Sequence, residues 1–173
     1  VEDSTLDLQI RLKSQATFVG AVRAALETAA SKIGLDEKAC GHITLALTEA
    51  MANIINHGYG RKPDQPIWIG LKAIEKDGRR GVHLILEDEC PQIDLDKIKS
   101  RPLDEIRPGG LGVHIIKEIM EDVTYAHREC GIGLRLTMNK FATPVTEEKA
   151  ADDKDEAPNE QAPPTQASSE SAV

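Results

Sequence analysis

The sequence predicts an α/β domain built on a mostly antiparallel sheet, and three observations carry that expectation. Apolar and polar residues alternate in several short runs, as strands with one buried face require. Two pairs of runs flank turn signals, Asp77-Gly78 and Glu129-Cys130-Gly131, and hairpins of this kind make their strands antiparallel neighbours. Three further stretches place apolar residues at the 3.6-residue spacing of helices.

Taken in order, residues 5–12 set Leu6, Leu8, Ile10 and Leu12 against Asp7, Gln9 and Arg11, which predicts an opening strand. Ser14 is placed to cap a helix in which Phe18, Val22, Ala25, Leu26, Ala29 and Ile33 recur at helical spacing, and Gly34 offers a left-handed stop. Asp36 caps a second helix, with Leu35 and Cys40 as its hydrophobic staple; it runs to about His57, where Gly58 ends it. Strands follow over 67–74 and 81–88. From Glu89 to Gly112 the periodicity is lost. Pro91, Pro102 and Pro108 interrupt it, a turn of helix fits over 95–99, and Gly109-Gly110-Leu111-Gly112 closes it. A loop this long inside a compact domain is usually a lid or a binding loop. It leads into a third helix with Val113, Ile116, Ile119 and Met120 as its apolar stripe, and strands over 123–128 and 132–140 close the domain.

The 173 residues are 40% hydrophobic, 29% charged and only 3% aromatic, which suits one domain with an aliphatic core. Past about Thr143 the chain offers no aromatic, Ile or Leu side chain to bury. The domain is therefore placed at 1–143, and 144–173 is expected to be a disordered acidic tail rich in Ala, Pro and Ser. A formal charge of −8 argues against direct nucleic-acid binding, which calls for a basic face. Cys40, Cys90 and Cys130 are odd in number and share no metal-ligand spacing, so they point to a reducing compartment. No apolar run approaches the ~20 residues of a membrane span, and no signal-peptide pattern opens the chain. A soluble cytoplasmic protein without membrane contact is expected.

The chemistry concentrates in residues 48–60, TEAMANIINHGYG. On a helix, Glu49 and Asn53 stand one turn apart on one face with His57 a turn further, while Ile43, Leu47, Ala50, Met51 and Ile54 take the other side. Polar groups on so apolar a helix cost a few kcal/mol each if buried unpaired, so partners, a metal or a ligand must satisfy them. Asp88 falls on the inward face set by Val82, Leu84 and Leu86, where a carboxylate is out of place. Plain structural roles are the alternatives: backbone bridging by Glu49 and Asn53, and a partnered core carboxylate at Asp88. Together with glycines at a helix N-terminus, which let backbone N–H groups approach an anion, the set suits a nucleoside triphosphate. The Asn53 oxygen is a hard ligand for Mg²⁺. Glu49 is one turn away and able to deprotonate an attacking hydroxyl, and Asp88 is able to accept from an adenine amino group.

In this order the motifs resemble those of the histidine-kinase-like ATPases, the GHKL superfamily of gyrase, heat-shock chaperone, histidine kinase and mismatch-repair ATPases. Within it, the chain is similar to the small serine/threonine kinases that act as anti-sigma factors, of the sigma-B regulator type. TEAMANIINHGYG resembles that family's asparagine box, EDECPQID its first glycine box, and RPGGLGVHIIKEIMEDVTY its second; the likeness spans residues 5–140. The resemblance implies a two-layer α/β sandwich with helices on one face of the sheet. It implies Glu49 as catalytic base, Asn53 as Mg²⁺ ligand through ATP phosphates, and Asp88 as adenine contact. It extends the nucleotide contacts to His57, Cys90, Arg107, Gly109, Gly110, Leu111, Gly112 and Thr137. Cys90 stands where the family carries glycine, so its side chain is expected to crowd the base. The implied partners are an anti-anti-sigma antagonist protein and a sigma factor, the implied state a homodimer. A catalytically inactive, nucleotide-dependent binding module is the alternative reading.

Overall fold

The computed structural model describes residues 5–91, 95 and 111–144. Arg107, Gly109 and Gly110, most of the lid, the helical turn expected past Leu95 and the tail from residue 145 onward lie outside the described residues.

Alternation gives each strand an apolar face, and five strands combine those faces into one sheet. They are β1 (Leu8–Lys13), β2 (Pro66–Lys76), β3 (Arg79–Asp88), β4 (Glu121–His127) and β5 (Leu134–Phe141). The order across the sheet is β1-β2-β3-β5-β4, and every neighbouring pair is antiparallel. Among the described residues, three α-helices, α1 (Val19–Ile33), α2 (Glu37–Asn53) and α3 (Leu111–Ile119), pack on one side. The core lies between the layers. Ile67, Ile69, Leu71, Val82, Leu84, Leu86, Leu136 and Met138 meet Leu26 of α1, Ile43, Leu47 and Met51 of α2 and Ile116 of α3. Each aliphatic side chain so buried contributes roughly 1.5–3 kcal/mol. The two-layer sandwich expected from the sequence is the architecture found.

Local signals act largely as expected. Asp77 and Gly78 both have positive φ, 54° and 72°, the backbone of a tight type I′ hairpin turn between β2 and β3. Gly34 ends α1 at φ 103°. Asp36 caps α2 by accepting the Ala39 N–H at 3.0 Å, and Leu35 and Cys40 are both buried beside it. Ser14 differs from its expected role. A 3-10 turn over Ala16–Phe18 precedes α1, neither element carries a side-chain cap, and the Ser14 hydroxyl donates to Lys62 O at 2.8 Å and accepts from Gln65 N–H at 3.1 Å. A hydroxyl at the end of β1 thus ties down the loop that follows α2. β1 begins at Leu8 instead of Thr5, while β2 and β3 extend closer to their turn than the apolar pattern alone suggests.

Candidate active site

The end of α2 and the turn after it form the first wall of the site. The α-helix stops at Asn53, and Ile54–Gly58 continue as a single π-helical turn in which the Tyr59 N–H reaches back five residues to Ile54 O at 2.8 Å. Such wide turns recur at functional sites because they shift side chains out of helical register. Glu49 and Asn53, one α-turn apart and partly buried, keep their common face. His57, expected in line with them, lies in the wide turn and is exposed. The chain is held as it leaves the turn. Tyr59 is buried, its hydroxyl donates to Pro66 O at 2.6 Å and accepts the Glu89 N–H at 2.7 Å, and burial pushes its phenol well above the ordinary tyrosine range.

The second wall is the first turn of α3, and Gly112 is the point of contact. A methyl group on Gly112 would stand 2.7 Å from Glu49 Oε2 and 3.3 Å from Asn53 Nδ2. The carboxylate and the amide therefore both reach the start of α3, and only glycine leaves them room. Leu111, one residue earlier, is 61% exposed, too open for a core residue and open to contact from a ligand.

Asp88 closes the third side. It is 4% exposed at the end of β3, on the helical face of the sheet. Its Oδ1 accepts two backbone N–H groups, from Cys90 at 2.8 Å and from Leu134 at 3.1 Å. The β4–β5 turn presses against its backbone, since a side chain on Gly133 (φ 88°) would collide with the Asp88 carbonyl and stand 2.8 Å from Glu89 Cα. Cys90, expected to crowd a bound base, is 1% exposed instead, and its sulfur fills the space where a side chain on Gly58 would sit. Burial, then the neighbouring Asp88 charge, pushes its thiol far above the ordinary cysteine range.

Glu49, Asn53, Gly112, Asp88 and Cys90 are thus assembled around the end of α2. Thr137 is not among them. It pairs with Ile85, while Leu136 and Met138 on either side are the buried, helix-facing residues of β5, so Thr137 points to the opposite face of the sheet. Sequence reasoning missed Tyr59, Gly133 and Leu134, which position the others through contacts with the backbone, and read Gly58 only as the stop of α2. The doubled glycine of Gly131-Ile132-Gly133 was the one available signal, since both have positive φ, 78° and 88°.

The residues present fit a magnesium nucleotide. Gly112 leaves a side-chain-free approach beside a carboxylate and an amide oxygen, and Mg²⁺ takes few protein ligands because phosphates and water supply the rest. Among the described residues no group of three or more His, Cys, Asp and Glu gathers as a metal cage.

Comparison with known proteins agrees with this geometry. The histidine kinase-like ATPase domain matches residues 12–140. The serine-protein kinase RsbW of Oceanobacillus iheyensis is 25% identical over 157 residues, covering 86% of this chain and 93% of the relative. That of Bacillus subtilis is 22% identical over 142 residues, covering 78% and 84%. A solved structure of the RsbU and RsbW domains of a Mycobacterium tuberculosis protein superposes with a TM-score of 0.55 at 21% identity. It matches 79% of this chain, which spans only 33% of that longer one, and the likeness is one of fold.

Proposed function

The chain belongs to the histidine kinase-like ATPase domain family, and from that premise we propose that it is an ATP-dependent protein serine/threonine kinase of the anti-sigma type. In this reading it phosphorylates a small antagonist protein and so regulates its own hold on a sigma factor. Similarity to serine-protein kinases along most of the chain supports this reading. The observation that carries it is the meeting of the Glu49 carboxylate and the Asn53 amide at Gly112.

Bound Mg·ATP supplies the phosphoryl group and the charge that neutralises it in flight. The chain's residues divide the remaining work. Glu49 takes the proton of the attacking hydroxyl, a role that needs a carboxylate within hydrogen-bond reach of the acceptor. Asn53 offers its amide oxygen to the metal, and Asp88 accepts from the adenine amino group with its carboxylate already oriented by Cys90 N–H and Leu134 N–H. Gly112 keeps the first turn of α3 close to both active side chains. His57, Arg107, Gly109, Gly110 and Leu111 complete the proposed nucleotide contacts, with Cys90 packed in the core beneath them. A homodimer in the cytoplasm, with no direct nucleic-acid or membrane contact, completes the reading. All three cysteines are free, and among the described residues no helix is long and apolar enough to cross a membrane.

The test is transfer of label from ATP to a candidate antagonist by the purified chain. Glu49→Ala is expected to hold ATP affinity within a few-fold while transfer falls by roughly 10²–10⁴, the range of a lost general base. ATP binding without transfer, unaffected by Glu49→Ala, replaces the kinase with a nucleotide-dependent binding module.

A further inference from the structure

Arg128 starts the turn between β4 and β5, 40 residues from Asp88 in sequence, yet it grips three consecutive residues centred on Asp88. Its Nη1 donates to the Asp88 carbonyl at 3.2 Å. Its Nε lies 3.3 Å from Glu87 Oε2, and its Nη1 lies 3.4 Å from Glu89 Oε1. The guanidinium is also stacked over Trp68, 4.6 Å from the ring centre, and the side chain is only 12% exposed. A solvent-screened surface pair is worth little and fixes nothing. A planar cation held on one side by an aromatic face and on the other by a carbonyl and a buried carboxylate has one geometry available to it.

The same turn reaches Asp88 a second time. Leu134 N–H bonds the Asp88 carboxylate, and Gly133, by lacking a side chain, lets the turn lie against the Asp88 backbone. Asp88 is therefore held at its carbonyl from the Arg128 end of the turn and at its carboxylate from the Leu134 end. Arg135 supports the arrangement, its Nε 2.8 Å from Glu87 Oε1, so Glu87 is shared between two guanidinium groups. Neither Glu87 Oε2, which faces Arg128 Nε, nor Arg135 Nε has an aligned hydrogen bond, so the attraction of both guanidinium groups to Glu87 is mainly Coulombic, and the directional bond at Asp88 is the one Arg128 Nη1 makes to its carbonyl.

We infer that Arg128 is a positioning residue for base recognition: by fixing the Asp88 carbonyl and its flanking carboxylates from the far face of the sheet, it sets the direction of the Asp88 carboxylate toward adenine. The inference deepens the kinase reading and rests on it for the identity of the base. It makes adenine selectivity a property of the β4–β5 turn as well as of Asp88.

The test uses the full chain with Arg128→Met, which keeps the length and removes the donors, and Arg128→Lys, which keeps the charge opposite Glu87 but loses the planar fork. In nucleotide-free protein, amide exchange at Cys90 and Leu134, the two donors to Asp88, is expected to quicken by about tenfold in both variants, with Leu84 and Leu86 in mid-β3 unchanged. ATP affinity is expected to fall by about tenfold with GTP affinity unmoved, and lysine is not expected to restore it. Wild-type exchange at Cys90 and Leu134 together with a wild-type ATP-to-GTP ratio in both variants overturns the proposal. Quickened exchange along the whole of β3 in the lysine variant overturns it too, because the role is then one of stability alone. If the wild-type chain itself binds no ATP, the kinase reading fails, and the nucleotide-free exchange still decides whether Arg128 holds Asp88.

Discussion

The sulfur of Cys90 occupies the space that a side chain at Gly58 would need, so the two residues are a matched pair across the floor of the site. The thiol that the sequence led us to set against a bound base is instead part of the core beneath the wide turn after α2. Cys90→Gly is expected to leave nucleotide affinity no tighter and to lower stability by about 1–3 kcal/mol through the vacated space and the added backbone freedom. Gly58→Ala should cost a similar amount by overpacking. The double variant should cost less than the sum of the two, because each change removes the other's clash or hole. Thermal melting of the four proteins measures this, and strict additivity would mean that the two residues do not share the space.

The layer architecture was legible because it rests on local signals that agree with one another. Asp36, Gly34 and Asp77-Gly78 each do in the structure what their backbone chemistry dictates. Glu49 and Asn53 were legible through helical spacing, and Asp88 through a carboxylate at an inward strand position. Gly112 was legible as one of a glycine cluster at a helix start, but its approach to Glu49 and Asn53 was not, nor was Leu134, whose backbone N–H leaves no mark in residue type. The displacement of His57 depends on a wide turn that no periodicity announces. Thr137 teaches the reverse. Alternation along β5 already grouped it with Arg135 and Asn139 on the outer face, and the family likeness drew it to the inner one.

Acid should weaken the fold through Asp36. The Thr143 N–H at 2.6 Å is the main cause that lowers its carboxyl from 3.8 to about 2, with the Ala39 N–H assisting against a desolvation cost. A carboxylate whose pKa is lower in the folded chain stabilises at pH above its unfolded value and loses that contribution as pH falls from about 4 toward 2. The group is partly in water, so screening reduces its worth to the order of a helix cap, ~1 kcal/mol. Asp36→Ala should lower the melting temperature by a few degrees at pH 7 and by much less near pH 2. An equal drop at both values would place the effect outside the charge.

The same bond fixes where the folded unit can be cut. Ala142 N–H donates to Arg80 O at 2.8 Å and Thr143 N–H to Asp36 Oδ2, so the chain remains tied to the domain through Thr143. A protein ending after Thr143 should melt with the full chain, since the residues beyond it bring no large apolar side chains. Ending after Phe141 removes both bonds and should cost about 1–3 kcal/mol. A several-degree drop on removing only 144–173 would show that the tail docks.

Gly112 separates folding from chemistry. It lies in α3 with no left-handed backbone to preserve, so Gly112→Ala should raise the helix's own stability by up to about 1 kcal/mol. The added methyl would stand 2.7 Å from Glu49 Oε2, closer than real contacts allow, and a tight 3.3 Å from Asn53 Nδ2, so the end of the Glu49 side chain would have to move and that of Asn53 to give by a few tenths of an ångström. Displacing a general base and a metal ligand by even a fraction of their working distance is costly, and transfer to the antagonist should fall on the order of 10²-fold. The melting temperature should hold or rise while phosphotransfer drops, in the same purified protein. A variant that transfers phosphate at the wild-type rate would mean that Glu49 and Asn53 do not work from the positions they take beside Gly112.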